Sequence, residues 1–124
     1  MAQVQIVREF AADPASVALL LAGPSAQSLW PGDDDATTRP VVTVGSPMRS
    51  GVGFVVDLTV ADPAAGSVRG RLSLAPCVRE TAPTGTHARL VVTSATGEAR
   101  ELRGRGGEFL EALSCVAEAR SSAA

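Results

Sequence analysis

Three segments of alternating apolar and polar residues follow one another closely, and this spacing constrains the fold more than any other feature. They span residues 51–62, 67–80 and 87–95, with gaps of four and six residues. Such gaps suit hairpin turns and are too short for the crossover that a parallel connection needs, so the strands are predicted to pair antiparallel. Pro76 would remove a hydrogen bond in mid-sheet, which indicates a bulge or an edge there.

Two further strands are indicated upstream of this meander. Residues 3–11, "QVQIVREFA", place Val4, Ile6 and Phe10 on one mostly apolar face. Residues 40–45, "PVVTVG", form a shorter apolar run that reads as a short strand.

A short helix is predicted between these two strands. Asp13 can cap its N-terminus while Pro14 presets the first helical φ angle. Gly23 can take the left-handed conformation that ends a helix, and Pro24 prevents continuation. Ser25 could cap a further turn, "SAQSLW", that ends at Trp30 because proline follows. A helix this short is marginal alone, so we expect it to pack on a sheet.

The last segment changes to a helical period. One apolar stripe, with steps of 4, 3, 4 and 3 residues, contains Leu102, Gly106, Phe109, Leu113 and Val116. It predicts a helix that runs to about Arg120. Glycines at 104, 106 and 107 each cost up to ~1 kcal/mol in a helix interior. The helix therefore either starts near Gly107 or is long and kinks there, and the phase of Leu102 favours the long form.

Composition is that of an ordinary globular protein with a single domain, residues 1–124. The chain is 45% hydrophobic and 19% charged, with a net charge of −2 that provides no electrostatic footprint for nucleic acid. Its longest apolar run, residues 17–22, is far below the ~20 residues of a membrane span. The segment "MAQVQIVREF" lacks the features of a signal peptide, so we expect a cytoplasmic protein.

The order of these elements resembles the SRPBCC superfamily, which contains START-related and polyketide cyclase/dehydrase-like proteins. The resemblance lies in "VREFAADPASVALLLAGPSAQSLWPG" at the front and "GGEFLEALSCVAEARSS" at the back. The segment "LAPCVRETAPTGTHARLVV" is similar to the penultimate hairpin of that family. The implied fold is the α+β helix-grip (START-like) fold. In it a curved antiparallel sheet wraps around a long C-terminal helix, with short helices after the first strand.

The resemblance also implies a cavity between the sheet and the long helix. Because the chain is short and contains 3% aromatic residues and no Tyr, we expect that cavity to be small and aliphatic. Gly106 narrows the helix, so space is expected beside it. Trp30 would either line one mouth of the cavity or anchor the core. The candidate lining residues are Trp30, Phe54, Val56, Leu72, Leu74, Leu90, Val92, Leu102, Gly106, Phe109 and Leu113.

No arrangement of residues indicates catalysis, a metal or a cofactor. His87 follows a turn and Cys77 has no histidine near it in sequence, so neither forms a recognisable catalytic pair. Cys77 and Cys115 are expected to be free thiols. Asp57 is expected to face solvent, although it could project into a cavity as a polar anchor. The acidic run at residues 33–35 lacks the ligand spacing of a calcium loop.

Three functions remain open on this basis. The first is binding of a small hydrophobic molecule, either lipid-like or polyketide-like. The second is a polyketide cyclase- or dehydratase-like enzyme, which the single His and the absence of Tyr disfavour. The third is a ligand-free scaffold or oligomerisation module, such as a homodimer, whose cavity is filled by its own side chains. No nucleic-acid or membrane-spanning partner is expected.

Overall fold

The computed structural model describes residues 2–31, 40–62, 66–77 and 85–123 of the chain. Its elements are β1 (Ala2–Phe10), α1 (Pro14–Ala22), a 3₁₀ helix (Pro24–Leu29), β2 (Val41–Val44), β3 (Met48–Ser50), β4 (Gly53–Asp62), β5 (Gly66–Cys77), β6 (Gly85–Ser94) and α2 (Ala99–Ala123). The acidic run at residues 33–35 lies outside the described residues, as do residues 78–80 of the predicted third segment.

The strands form one antiparallel sheet in the order β1-β6-β5-β4-β2, with β3 paired to β4. The predicted meander is confirmed as β4, β5 and β6, and β1 closes against the far side of β6. On one side of β5, Pro76 pairs with Thr86 of β6 in unbroken register. On the other side, the pairing of β5 with β4 ends at Leu74. Pro76 therefore lies at an edge rather than at a bulge, and no bond to β4 is lost there.

One predicted strand starts two residues too early. Gly51 and Val52 form the turn of a β3–β4 hairpin, and β4 begins at Gly53. Gly51 has a φ of 59°, a left-handed conformation that glycine adopts without steric cost. Strand β3 is only three residues long, too short for an alternating pattern to show in the sequence.

Helix α1 begins as its sequence predicts. The Asp13 carboxylate accepts hydrogen bonds from the Ser16 amide at 3.2 Å and the Ser16 hydroxyl at 2.5 Å. The end differs from expectation, because Gly23 is extended, with φ −86° and ψ 167°, rather than left-handed. Pro24 explains this, since a residue before proline is pushed to extended geometry. The following turn is a 3₁₀ helix that starts at Pro24, one residue before the predicted cap.

Helix α2 is the long form of the predicted C-terminal helix. It begins at Ala99, before the glycines, and contacts β1 and β6, whereas α1 contacts β4 and β5. The stripe residues Leu102, Phe109 and Leu113 are fully buried, and Val116 is partly buried against the same core. The helix thus lies on the sheet with the predicted face inward.

Two hydrogen-bonded contacts hold α2 at its ends. The Ser94 hydroxyl accepts from the Gly97 amide at 2.8 Å, which fixes the turn between β6 and α2. Near the other end, Glu118 Oε1 accepts from the Ala11 amide at 3.0 Å and from the Ser114 hydroxyl at 3.1 Å. The long helix is therefore tied to the strand that begins the fold.

The cap of α1 predicts a specific pH dependence of stability. Hydrogen bonding from the Ser16 hydroxyl, then from the Ser16 amide, lowers the pKa of Asp13 below its ordinary 3.8 despite an opposing contribution from partial burial. A lowered carboxyl pKa contributes stability above the unfolded-state pKa, and that contribution is lost as pH falls through the folded-state pKa. We expect Asp13→Ala to lower the free energy of unfolding by about 1 kcal/mol at neutral pH.

Urea unfolding of the wild type, Asp13→Ala and Asp13→Asn at a series of pH values checks this. The difference in free energy of unfolding between the wild type and Asp13→Ala should become smaller at acid pH, because the wild-type carboxylate is then protonated. Asp13→Asn is the matched control, since it keeps a capping oxygen but has no charge to titrate. An Asp13→Ala deficit that is the same at all pH values would contradict the prediction.

Candidate functional site

The inner face of the sheet is built from rows of apolar side chains in direct register. One row crosses four strands through Ile6, Leu90, Leu72 and Val56. Residues two apart on a strand share a face, so the neighbouring rows point the same way. Those rows contain Val4, Val92, Gly70 and Leu58 on one side, and Ala88, Leu74 and Phe54 on the other.

The structure brings the candidate lining residues together in one core. All of them except Phe54 and Gly106 belong to a single core cluster, and each of these candidates is at most 5% exposed. Phe54 is partly buried against that cluster, and Gly106 is buried within α2. Their common location is thus established, whereas their contact with a ligand stays a prediction.

Trp30 lies at the junction between the short helices and α2. It is 5% exposed, and its ring centroid lies 5.9 Å from that of Phe109 at an interplanar angle of 45°. Close by, the Arg105 guanidinium donates to the Pro31 carbonyl at 2.9 Å, which also joins this segment to α2. Trp30 therefore anchors the segment in the core, where tilted aromatic pairs are favourable.

The space expected beside Gly106 is filled, which corrects the sequence-based expectation. A Cβ atom at this position would lie 2.5 Å from Ile6 Cδ1 and 3.4 Å from Leu90 Cδ2. The missing side chain lets β1 approach the helix backbone, so the glycine brings the layers closer instead of separating them. Ile6 stood on the predicted apolar face of β1, but nothing local in sequence shows that it meets a residue 100 positions away. Leu110, fully buried beside the stripe, was also missed.

The buried polar groups of this interior are hydroxyls with local partners. Among the described residues these are Thr86, Ser94 and Ser114. Thr86 donates to the Ala12 carbonyl at 2.6 Å, and Ser94 and Ser114 make the contacts at the ends of α2 given above. Ser114 donates to the partly buried Glu118 carboxylate, whereas Thr86 and Ser94 bond to backbone groups, so all three hydroxyls hold parts of the fold together.

The residues that could carry chemistry lie outside this interior. His87 is exposed on the outer face, opposite Glu9 and Ala75. Asp57 also faces outward, as expected, and accepts from Arg71 Nε at 2.9 Å, with both side chains more than half exposed. Cys77 and Cys115 are free thiols at separate places, partly buried and exposed respectively. In the described parts of the chain, no three His, Cys, Asp or Glu residues are grouped to hold a metal.

Comparison with solved structures identifies the fold. A conserved protein from Geobacillus kaustophilus has a TM-score of 0.60 at 11% identity, covering 93% of this chain and 94% of that one. A START superfamily protein from Mycobacterium smegmatis has a TM-score of 0.57 at 13% identity, covering 97% of both chains. A Chromobacterium violaceum protein gives 0.56 at 14% identity, with coverage of 95% and 99%. The chain therefore has the START-like helix-grip fold of the SRPBCC proteins.

Sequence comparisons add no closer relationship. No protein-family model matches the chain, and no curated protein matches it. Within the residues that the structure describes, no helix combines the length and apolar character needed to cross a membrane. The comparisons thus establish the fold alone.

The packing of Ile6 against α2 predicts that alanine substitution stabilises the protein at only one of two adjacent glycines. A Cβ at Gly107 meets no other atom within 4 Å, so Gly107→Ala should raise the free energy of unfolding by up to ~1 kcal/mol through helix propensity. Gly106→Ala should forfeit this gain because Ile6 must move. Ile6→Ala alone should cost about 2 kcal/mol by leaving a void.

A double-mutant cycle measured by chemical denaturation checks this contact. In the Ile6→Ala background, Gly106→Ala should become stabilising, as Gly107→Ala is in the wild type, because the obstructing methyl group is gone. Additive effects of Ile6→Ala and Gly106→Ala would show that the two residues do not pack against each other.

Proposed function

We propose that this protein binds a small apolar molecule, lipid-like or polyketide-like, between the inner face of the sheet and the helices that cover it. The observation that carries the proposal is the character of the facing surfaces. Leu72, Leu90 and Phe109 typify them, and the buried hydroxyls of the described residues are already hydrogen-bonded within the fold. Such an interior offers burial to a ligand but few directional bonds.

The energetics of such a site favour affinity without catalysis. Removing apolar ligand surface from water contributes roughly 25 cal/mol per Å². Directional polar contacts, which normally provide selectivity, are scarce here, so we expect the site to accept several apolar compounds of similar size. A cyclase or dehydratase would need a positioned acid or base, and no observation in the described interior favours that alternative.

The side of the interior beneath α1 and the 3₁₀ helix is the better place for a ligand. On the other side, the contact of Ile6 with Gly106 closes α2 onto β1. The short helices contact β2, β4 and β5 instead. Partly exposed apolar side chains occur there, at Leu29, Val44 and Phe54. Short elements with small packed areas open locally at low cost, which would admit a ligand.

Phe54 and Val55 provide a matched pair for testing this location. They are neighbours on β4, both intermediate in exposure, and they point to opposite faces of the sheet. Phe54→Ser removes apolar surface from the proposed ligand location on the inner face. Val55→Ser makes a similar change on the outer face. If the ligand lies inside, only the first substitution should weaken binding.

The experiment combines native mass spectrometry of the purified protein with a thermal-shift screen of fatty acids and aromatic polyketides. A compound present at one hundred times its Kd should add about 2.7 kcal/mol of stability. We expect the shift to fall at least severalfold in Phe54→Ser and to persist in Val55→Ser, each measured against its own ligand-free Tm.

Two results would contradict the proposal. If no apolar compound stabilises the wild type, the interior is filled by its own side chains and the scaffold function replaces ligand binding. If both variants lose the shift equally, the ligand does not occupy the inner face.

A further inference from the structure

The face of α2 that points away from the sheet carries an ordered pattern of charges and glycines. With 3.6 residues per turn, the members of this face lie within about 140° of one another, opposite the buried stripe. We call this surface the outer face of α2, and it consists of Arg100, Arg103, Gly104, Gly107, Glu108 and Glu111. All are exposed except Gly107, which is intermediate. Among the described residues, none of the four charged side chains takes part in an ion pair.

The outer face of α2 is self-complementary about the midpoint between residues 105 and 106. Inverting the sequence at that point exchanges Arg100 with Glu111, Arg103 with Glu108, and Gly104 with Gly107. Each arginine is thus exchanged with a glutamate, and each glycine with a glycine. The Cα positions of a regular helix lie on a uniform spiral, so a two-fold rotation about an axis perpendicular to the helix at this midpoint brings the exchanged Cα positions onto one another.

The glycines leave room for a close approach. A Cβ atom built at Gly104 or Gly107 meets no other atom within 4 Å, so neither glycine is required by packing inside this chain. Each costs up to about 1 kcal/mol relative to alanine in a helix interior. An open hollow of about 770 Å³ lies over Gly104 and is bordered by charged side chains, among them Arg100, Glu101 and Glu108.

We propose that the outer face of α2 binds a second copy of this chain, with the two helices antiparallel and related by a two-fold axis. Arg100 and Arg103 of one copy would then lie opposite Glu111 and Glu108 of the other. The four glycines would meet at the crossing point, where small residues allow backbones to approach closely. Charge complementarity selects this occupant, because the surface matches its own inverted copy. A parallel arrangement would oppose arginine to arginine and glutamate to glutamate.

The size of this surface predicts a weak, salt-sensitive dimer. It covers about three turns of each helix, or roughly 18 Å at 1.5 Å per residue. That length places the interface at the low end of specific interfaces, which is the range of weak and transient associations. Salt screens exposed ion pairs. The dissociation constant of the dimer should therefore rise markedly as the salt concentration increases from about 0.05 to 0.5 M.

Complementary charge reversal tests the pairing directly by sedimentation velocity of the full chain across a concentration series. Arg103→Glu and Glu108→Arg should each be monomeric at concentrations where the wild type dimerises, because both symmetry-related contacts become repulsive. An equimolar mixture of the two variants should form a heterodimer, since every opposed pair is then attractive. The double variant should dimerise with itself for the same reason.

A steric test is independent of charge. Gly104→Leu fills open space in the single chain and should abolish dimerisation, whereas Ala119→Leu, at an exposed position beyond the crossing, should leave it intact. Circular dichroism and Tm of each variant confirm that the chain remains folded. In the antiparallel pair the two Cys115 residues lie about 28 Å apart along the helices, so oxidation should not link them.

Three outcomes would overturn the proposal. The first is a wild-type chain that stays monomeric up to millimolar concentration. The second is a dimer that tolerates Arg103→Glu or Gly104→Leu. The third is a failure of the two single charge variants to associate when they are mixed while the wild type dimerises.

Discussion

The first strand and the long helix meet where the Ile6 side chain occupies the place that a side chain at position 106 of α2 would take. Because the helix has no side chain at that point, β1 comes close enough for the Ile6 methyl group to reach the helix backbone. Helix α2 covers β1 and β6, and α1 covers the inner face over β4 and β5. The contact between the Trp30 and Phe109 rings joins the segment that follows α1 to α2.

This division of the interior separates structural from functional requirements. Under α2 the stripe residues Leu102, Phe109 and Leu113 are fully buried, while Ile6 and Val116 are partly buried against them. Under the short helices, partly exposed apolar side chains such as Phe54 remain. The outer surfaces carry the charges, including the exposed pair of Asp57 and Arg71, which contributes little to stability in high dielectric. The proposed apolar ligand and the proposed second copy of the chain would thus use different faces of the protein.

Periodic features of the sequence predicted most of the fold. Alternation identified β1 and the meander, and the stripe from Leu102 to Val116 identified α2 and its buried face. Features that span only two or three residues were missed, namely strand β3 and the turn at Gly51 and Val52. The space beside Gly106 was predicted wrongly because sequence shows a missing side chain but not the distant residue that fills its place. The candidate interior was recovered as a set of residues, whereas its accessible part depends on packing.

The pairing of β1 with β6 has a consequence for the order in which this chain can fold. Residues 2–10 hydrogen-bond to residues 86–94. During synthesis β1 therefore has no partner strand until nearly all of the sheet has been made. Contacts this distant in sequence impose a large entropic cost and slow folding relative to local ones. The interval between translation of the two strands is thus when the apolar face of β1 is open to non-native association, and a molecular chaperone acting on the nascent protein would have its clearest target there.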